Sequence, residues 1–409
     1  MQIHQIILRG IEIILTAIAL GLLVPITVLL IECCAALLPS RKAKKPVGQL
    51  SRPNVAILVP AHNEALGIEV TLKCLLPQLT EQDQLVVIAD NCEDETAAIA
   101  RMTGAQVAER QDPERRGKGY ALDYGLKFLA PDPPDVVVVM DADCIAQAGS
   151  IEQIAKQAAT TGKPIQAAYL ITPPTQPTAR DAISSLAVIV KNLVRPKGLA
   201  RLGFPCLLTG TGMAFPWSVI RQAPLASGNI VEDMQLAVDL TISGWAPIFC
   251  PEAGVTSQLP QQEQAAKSQR TRWEHGHLQT IKQQVPRLLR AAFHQRRLDL
   301  LALALDLSIP PLSLLAISWA AATTLALLAT VLRVSWQPLA LLSLEGVLLM
   351  GAIAISWAKF ASTQLPIQTF LSIPLYIIWK IPLYLSFILH PQTKWVRTDR
   401  DTVSAPDNQ

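Results

Sequence analysis

Val136-Val137-Val138-Val139-Met140-Asp141-Ala142-Asp143 is the stretch from which the fold of this chain can be read. Five apolar residues in succession, four of them β-branched, fit a strand buried on both faces, as in a parallel sheet covered by helices. The run stops on two carboxylates one residue apart. Upstream, Val55-Ala56-Ile57-Leu58-Val59 and Leu85-Val86-Val87-Ile88-Ala89 have the same character. Helix-like stretches over 64–79 and 93–102 follow them. Strand alternating with helix predicts an α/β fold with a parallel sheet, whose ligands bind beyond the carboxyl ends of the strands. Each run ends in polar groups: Asn63-Glu64, Asp90-Asn91, then Asp141 and Asp143. No Gly-x-Gly-x-x-Gly occurs, which disfavours a dinucleotide site. There is no internal repeat, and the one biased run is the Pro-rich loop at 173–177.

Farther out, the chain turns apolar at both ends. It has 409 residues, 50% hydrophobic, with mean hydropathy +0.32. Residues 13–31 are long and apolar enough to span a bilayer, and too long for the core of a cleaved leader. Arg41, Lys42, Lys44 and Lys45 follow, and Arg287, Arg290, Arg296 and Arg297 precede the C-terminal apolar block. Positive residues beside spans favour the cytoplasmic side, so the region between is expected there. Spans are expected at 312–332 and 339–358. The segment 365–389 is broken by Pro366, Pro374 and Pro382 and carries Lys380. Lys394, Arg397 and Arg400 beyond it leave its topology open, and a re-entrant segment would fit them. Residues 298–309 are too short to span and suit a helix lying on the membrane surface. A net charge of +3 is too small for a nucleic-acid binder. The seven cysteines lack any Cys-x-x-Cys and read as reduced thiols, with no spacing that supports zinc.

Several motifs in the middle carry chemistry. Asp141 and Asp143 can share one hard divalent cation, which would neutralise a diphosphate. Asp90 either hydrogen-bonds a nucleoside or caps the following helix, with Asp94 as the rival cap. Arg116-Gly117-Lys118-Gly119 reads as a flexible cationic turn whose Lys118 suits a phosphate. Leu208-Thr209-Gly210-Thr211-Gly212-Met213 is either a tight turn or a segment where backbone approaches a sugar. Glu232-Asp233 opens a helical stretch, where acids are common on electrostatic grounds. Transfer to a hydroxyl needs a base, and Asp233 is the candidate, with Glu232 as the alternative. In Gln269-Arg270-Thr271-Arg272-Trp273, a helix would put Gln269, Arg272 and Trp273 on one face. A guanidinium suits a pyrophosphate and an indole suits the face of a sugar ring. His62, His275 and His277 form no pair of zinc-site type and receive no role.

The order Asp90, Asp141-Ala142-Asp143, Glu232-Asp233, Gln269-x-x-Arg272-Trp273 resembles the family 2 glycosyltransferases. More narrowly it is similar to the membrane-embedded branch that includes cellulose, hyaluronan and poly-N-acetylglucosamine synthases. Val59-Pro60-Ala61-His62-Asn63-Glu64 matches the first strand and loop, and the resemblance covers about residues 54–276. It implies a Rossmann-like GT-A fold and an inverting single displacement. It implies that Asp90 holds the nucleoside, with Asn63 and Glu64 near the base. Asp141 and Asp143 would sit at the diphosphate with Mg2+ or Mn2+, and Asp233 would be the base. Gln269, Arg272 and Trp273 would clamp the pyrophosphate and the acceptor end, and Thr209-Gly210-Thr211 would meet the acceptor. Two features depart from the synthases. Their Cys-Gly-Ser-type pattern is absent, and Val231 stands where they have Thr before Glu-Asp.

The expected layout is a membrane anchor at 1–38, a cytoplasmic GT-A domain at 52–297, an interfacial helix and spans at 298–390, and a polar tail at 391–409. The expected location is a bacterial plasma (inner) membrane, multi-pass. The expected activity is hexosyl transfer from a UDP-sugar, first as a processive exopolysaccharide synthase. The alternative is transfer of one sugar to a lipid, a polyprenyl phosphate or a glycerolipid. Partners follow: the UDP-sugar, a glycan or lipid acceptor, membrane lipids, and a homo-oligomer or export partner, with no nucleic acid.

Overall fold

A computed structural model describes residues 2–39, 52–172, 178–226, 231–258, 263–363 and 365–389. The basic group Arg41, Lys42, Lys44 and Lys45, the Pro-rich loop at 173–177, and the tail at 391–409 with Lys394, Arg397 and Arg400 lie outside the described residues.

The three apolar runs form β1 (Val55–Ala61), β2 (Gln84–Asp90) and β4 (Val136–Val139). With β3 (Gln106–Arg110) they make a parallel half-sheet in the order β3-β2-β1-β4. Side chains alternate between two buried layers, as the pleat requires. Leu58, Ile88, Val137 and Val139 join one core cluster with Leu122 and Leu126 of α4 (Lys118–Leu129). Ile57, Val59, Val87 and Val138 join the other, with Leu72 of α2 (Ile68–Leu75) and Ile154 of α5 (Ser150–Thr161). Full burial of each such side chain contributes about 1.5–3 kcal/mol. The chain leaves β1 toward β2 and β3, then returns to β4 on the other side. That reversal opens a crevice at the carboxyl ends of β1 and β4.

The second half of the sheet is not parallel throughout. β7 (Met213–Pro216) runs antiparallel to β4, and β6 (Ile165–Thr172) antiparallel to β7. β8 (Ile248–Gln258) is parallel to β6, and the short β5 (Cys144–Ala146) closes the sheet antiparallel to β8. Strand direction follows the connections, which the apolar runs do not encode.

Among the described residues, four helical segments are long and apolar enough to cross a membrane: Gln5–Ala35, Leu312–Val331, Gln337–Phe360 and Ile367–Phe387. The first belongs to α1 (Gln2–Ala35). The last is one helical run, a 3-10 turn (Ile367–Ser372) continuing into α14 (Ile373–Leu389), and does not double back as a re-entrant segment would. The helix expected on the membrane surface, α11 (Leu298–Ser308), spends its apolar face on protein. Leu300, Leu303, Ala304 and Leu307 are buried in the core cluster that also takes residues of α9 (Glu232–Ile242) and α10 (Glu263–Gln295). Between α6 (Ala179–Ile189) and α7 (Arg195–Leu202) lies a π-helical turn, Val190–Val194. Arg195 then ties three helices together. Its guanidinium lies 3.1 Å from Glu32 of α1 and 2.6 Å from Asp306 of α11.

Candidate active site

The loop after β1 is built by local hydrogen bonds. Asn63 takes the left-handed backbone (φ 55°), and its side-chain oxygen accepts from the Glu93 amide at 2.7 Å. The Glu64 amide donates to Thr96 Oγ1 at 2.8 Å. Asp90 ends β2 as a buried carboxylate 2.6 Å from Arg110. Burial pushes its carboxyl up, and the Arg110 guanidinium opposes that shift. Asp90 does not cap the next helix. Nor does Asp94 hold the cap position: it accepts from the Thr96 amide at 3.0 Å, but Glu95 is the cap of α3 (Thr96–Met102) and its side chain makes no cap bond.

At the crevice, Asp141 follows β4 and its amide donates to Thr211 Oγ1 at 3.1 Å. Lys118 was read as part of a flexible turn, yet it is the first residue of α4, set there by Gly117 at φ 129°. Its ammonium is bonded to Asp141 and lies 2.6 Å from the Gly210 carbonyl. Burial alone would lower it, but Asp141, Glu232 and Asp233 around it hold it above the ordinary lysine range. Asp233, in the first turn of α9, accepts from the Met234 amide at 2.8 Å. Burial raises the carboxyls of both Glu232 and Asp233.

Gly210 shows how close these groups are. Its φ is +89°, and a β-carbon on it would lie 3.4 Å from Asp233 Oδ2, 3.4 Å from Lys118 Nζ and 3.9 Å from Asp141 Oδ2. The strand-tip acid and the helix-start acid therefore border one point. Beside them, one ligand atom each from Asp141, Asp143 and Cys144 lie within 4.8 Å of one another. Burial, then the neighbouring Asp143 and Asp141, hold the Cys144 thiol well above its usual range. The donors on offer are thus two carboxylates, a hard set suited to Mg2+ or Mn2+ and poor for zinc.

A cavity of about 360 Å³ gathers these groups. Glu64, Asp90, Lys118, Asp141, Thr209, Gly210, Asp233, Arg272 and Trp273 line it. Arg272 and Trp273 come from α10, so the helical reading of that motif holds. Asn63, Asp143, Thr211 and Gln269 are not on its wall. Asn63 braces the loop. Asp143 stands beside Asp141. Thr211 is fully buried beneath Asp141, and Gln269 has a buried amide oxygen with no partner among the described residues. The far wall comes from the apolar helices and the segment leading into one of them: Leu29 of α1, Ile309 to Ser313, and Tyr376 and Lys380 of α14.

A family model described as glycosyltransferase like family 2 matches residues 53–276, more than half of the chain. The chain belongs to this family. Among curated proteins, this family 2 chain is 26% identical over 244 residues to a probable glycosyltransferase, YdaM, of Bacillus subtilis, covering 55% of each. It is 31% identical over 104 residues to 4,4'-diaponeurosporenoate glycosyltransferase of Staphylococcus haemolyticus, covering 24% of this chain and 26% of that one. The chain spans about half the length, or less, of the curated relatives it matches. Among solved structures, the mannosyltransferase PcManGT of Pyrobaculum calidifontis, in complex with GDP-Man and Mn2+, superposes with a TM-score of 0.53. It is 20% identical, over 86% of this chain and 99% of that one, a likeness that speaks for the fold.

The fold of the glycosyltransferase core is thus the Rossmann-like GT-A fold expected from the motifs. Sequence reasoning missed much of the cavity wall opposite the strand tips. Lys191, Asn192, Arg195 and His277 face the same space as Asp233. Arg270 does so as well, 3.1 Å from Asp181. His277 had been noticed and set aside, because it lacked a metal-site partner. Arg270 stands at an unassigned position of the Gln269–Trp273 motif, and Lys191, Asn192 and Arg195 carry no motif.

Proposed function

We propose that this chain transfers a sugar from a nucleoside diphosphate sugar to a hydroxyl of an acceptor arriving from the membrane layer. The single observation that carries this reading is the convergence at Gly210. A strand-tip acid suited to a metal diphosphate and an acid suited to base catalysis border one point, in a cavity whose opposite wall is made by apolar helices.

In this reading Asp90, Asn63 and Glu64 serve the nucleoside end, Asn63 by shaping the loop. Asp141 and Asp143 would hold Mg2+ or Mn2+, which when bound neutralises the diphosphate leaving group. Lys118 and Arg272 add fixed positive charge toward the phosphates. Asp233 takes the acceptor hydroxyl proton. The oxygen forms a bond to the anomeric carbon as its bond to the diphosphate oxygen breaks, and the electron pair leaves with the nucleoside diphosphate. One displacement inverts the anomeric centre. Trp273 offers a flat face to the sugar. Thr209 and Gly210 border the acceptor side, while Thr211 and Gln269 act from behind the wall.

UDP is the donor nucleotide expected from the motifs, and a GDP-sugar is the alternative to screen beside it. We assign residues 1–38 to an anchor, 52–297 to a cytoplasmic catalytic domain, 298–390 to the membrane layer and 391–409 to a tail, in a bacterial plasma membrane. The membrane-side wall favours a lipid-borne acceptor. Arg272 and Trp273 on that cavity favour a second reading, the processive synthase, in which the chain or a partner subunit exports a polymer. Membranes containing the enzyme, given labelled UDP- and GDP-sugars, test both. Released nucleoside diphosphate with one organic-extractable product supports the first reading. A broad distribution of long water-soluble chains supports the second, and no sugar-dependent release removes both.

A further inference from the structure

The π-turn Val190–Val194 interrupts what would otherwise be one helix from α6 into α7. Such turns are rare and are frequently found at functional sites. Here the turn brings Lys191 and Asn192 to the cavity wall. Asn192 is only 7% exposed, and its Oδ1 has no hydrogen-bond partner among the described residues. From α10 comes His277, 3% exposed, whose Nε2 is equally without a partner. The His277 ring bonds the Leu307 backbone, which leaves Nε2 as the free acceptor. Lys191 has no hydrogen bond or ion pair among the described residues. Its neighbours on this wall differ: Arg195, Arg270 and Lys380 each hold a carboxylate.

Buried polar atoms left unmet are costly, so a matching group from outside the chain is the economical account of these two on one cavity wall, with the half-buried Lys191 next to Asn192 in the turn. Their chemistry selects that group. Asn192 Oδ1 and His277 Nε2 accept, and need O–H donors. Lys191 donates, and needs an oxygen. A lipid monophosphate would satisfy Lys191 and leave both acceptors empty. Adjacent hydroxyls satisfy all three, because each both donates and accepts. We propose that Lys191, Asn192 and His277 form the acceptor-headgroup subsite, and that it takes a neutral polyhydroxyl headgroup, a sugar or a glycerol, in place of a lipid monophosphate. This rests on the reading that Asp233 serves an acceptor hydroxyl. Asp233, Glu274, Asp306 and Arg195 are the charged groups that Lys191 feels. Burial, then Lys191 and Arg195, hold His277 well below its ordinary range, so its ring stays a neutral acceptor.

The test uses the full chain in lipid nanodiscs with n-octyl β-glucoside, 1-octylglycerol and n-octyl phosphate, each below its micelle threshold. Headgroup contact is read by saturation-transfer NMR, and nucleoside diphosphate affinity is read on the same samples. The expected result is strong transfer to the glucoside or glycerol protons, weaker by roughly tenfold in Asn192→Leu, His277→Phe and Lys191→Met, with nucleotide affinity kept. The stronger of the two neutral heads identifies the source. Octyl phosphate giving the strongest contact in the wild-type protein overturns the subsite without any variant. So does equal contact across wild type and variants. The two readings fail separately, because headgroup contact needs no turnover, whereas the role of Asp233 is read from turnover of Asp233→Asn.

Discussion

At the scale of one residue, Gly210 is the point that Asp233, Lys118 and Asp141, the groups of the proposed chemistry, border. Its left-handed backbone costs a side chain about 1–2 kcal/mol, and a methyl there would stand in contact with Asp233 and Lys118, so relief of the strain would move them. Gly210→Ala is therefore expected to lower kcat by roughly tenfold or more while leaving the fold in place. A variant with wild-type kcat would mean that Asp233 and Lys118 do not need this spacing. In the proposed mechanism Asp233 sets the acid side of the pH profile. Only its carboxylate form can take a proton, and burial raises its pKa above the usual carboxylate range. Turnover should fall as pH drops through that raised value, and Asp233→Asn should remove both the activity and the acid limb. A pH profile of kcat in the two proteins checks this. These acids were legible in the sequence, because acids that end an apolar strand or open a helix stand out. Lys191 and Asn192 were not, since nothing in the string marks a π-turn.

Among elements, the junction of α7 with α1 is the tightest. A β-carbon at Gly198 would lie 2.1 Å from the Glu32 carbonyl oxygen, so Gly198→Ala must force the two helices apart. Overpacking of this kind costs about 1–3 kcal/mol. Thermal unfolding in detergent should show a clear loss of stability, and an unchanged melting temperature would mean that the helices separate freely. α11 makes a parallel case. Leu303 is fully buried in the core cluster that α11 shares with α9 and α10, so Leu303→Ala should cost about 2–5 kcal/mol. A free surface helix would lose almost nothing. The sequence showed that α11 was amphipathic and short, but not whether lipid or protein met its apolar face. The parallel strands were readable for the opposite reason: continuous β-branched runs have few other places to go. The direction of β6, β7 and β8 depends on contacts distant in sequence, which no local pattern carries.

At the scale of the whole molecule, a GT-A core rests on helices long and apolar enough to cross a bilayer, with Arg195 joining the layers through Glu32 and Asp306. Truncating Arg195 leaves two buried carboxylates without their cation, a change that costs about 3–5 kcal/mol. Arg195→Ala should uncouple core from spans, seen as faster proteolysis between them. The division into apolar ends and an α/β middle was plain from hydropathy alone. The side-by-side fit of the membrane wall and the catalytic acids was not, because it is created by the return of the chain from α10 through α11 to α14. Calorimetry of UDP and GDP binding to the full chain with Mn2+, in wild type and in Asp141→Asn, tests most directly that the strand-tip acids form a nucleotide-sugar pocket at that wall. Metal-dependent binding of one nucleotide that weakens by roughly tenfold or more in the variant is the expected result. Binding that ignores both the metal and Asp141, or no binding of either nucleotide, would contradict it.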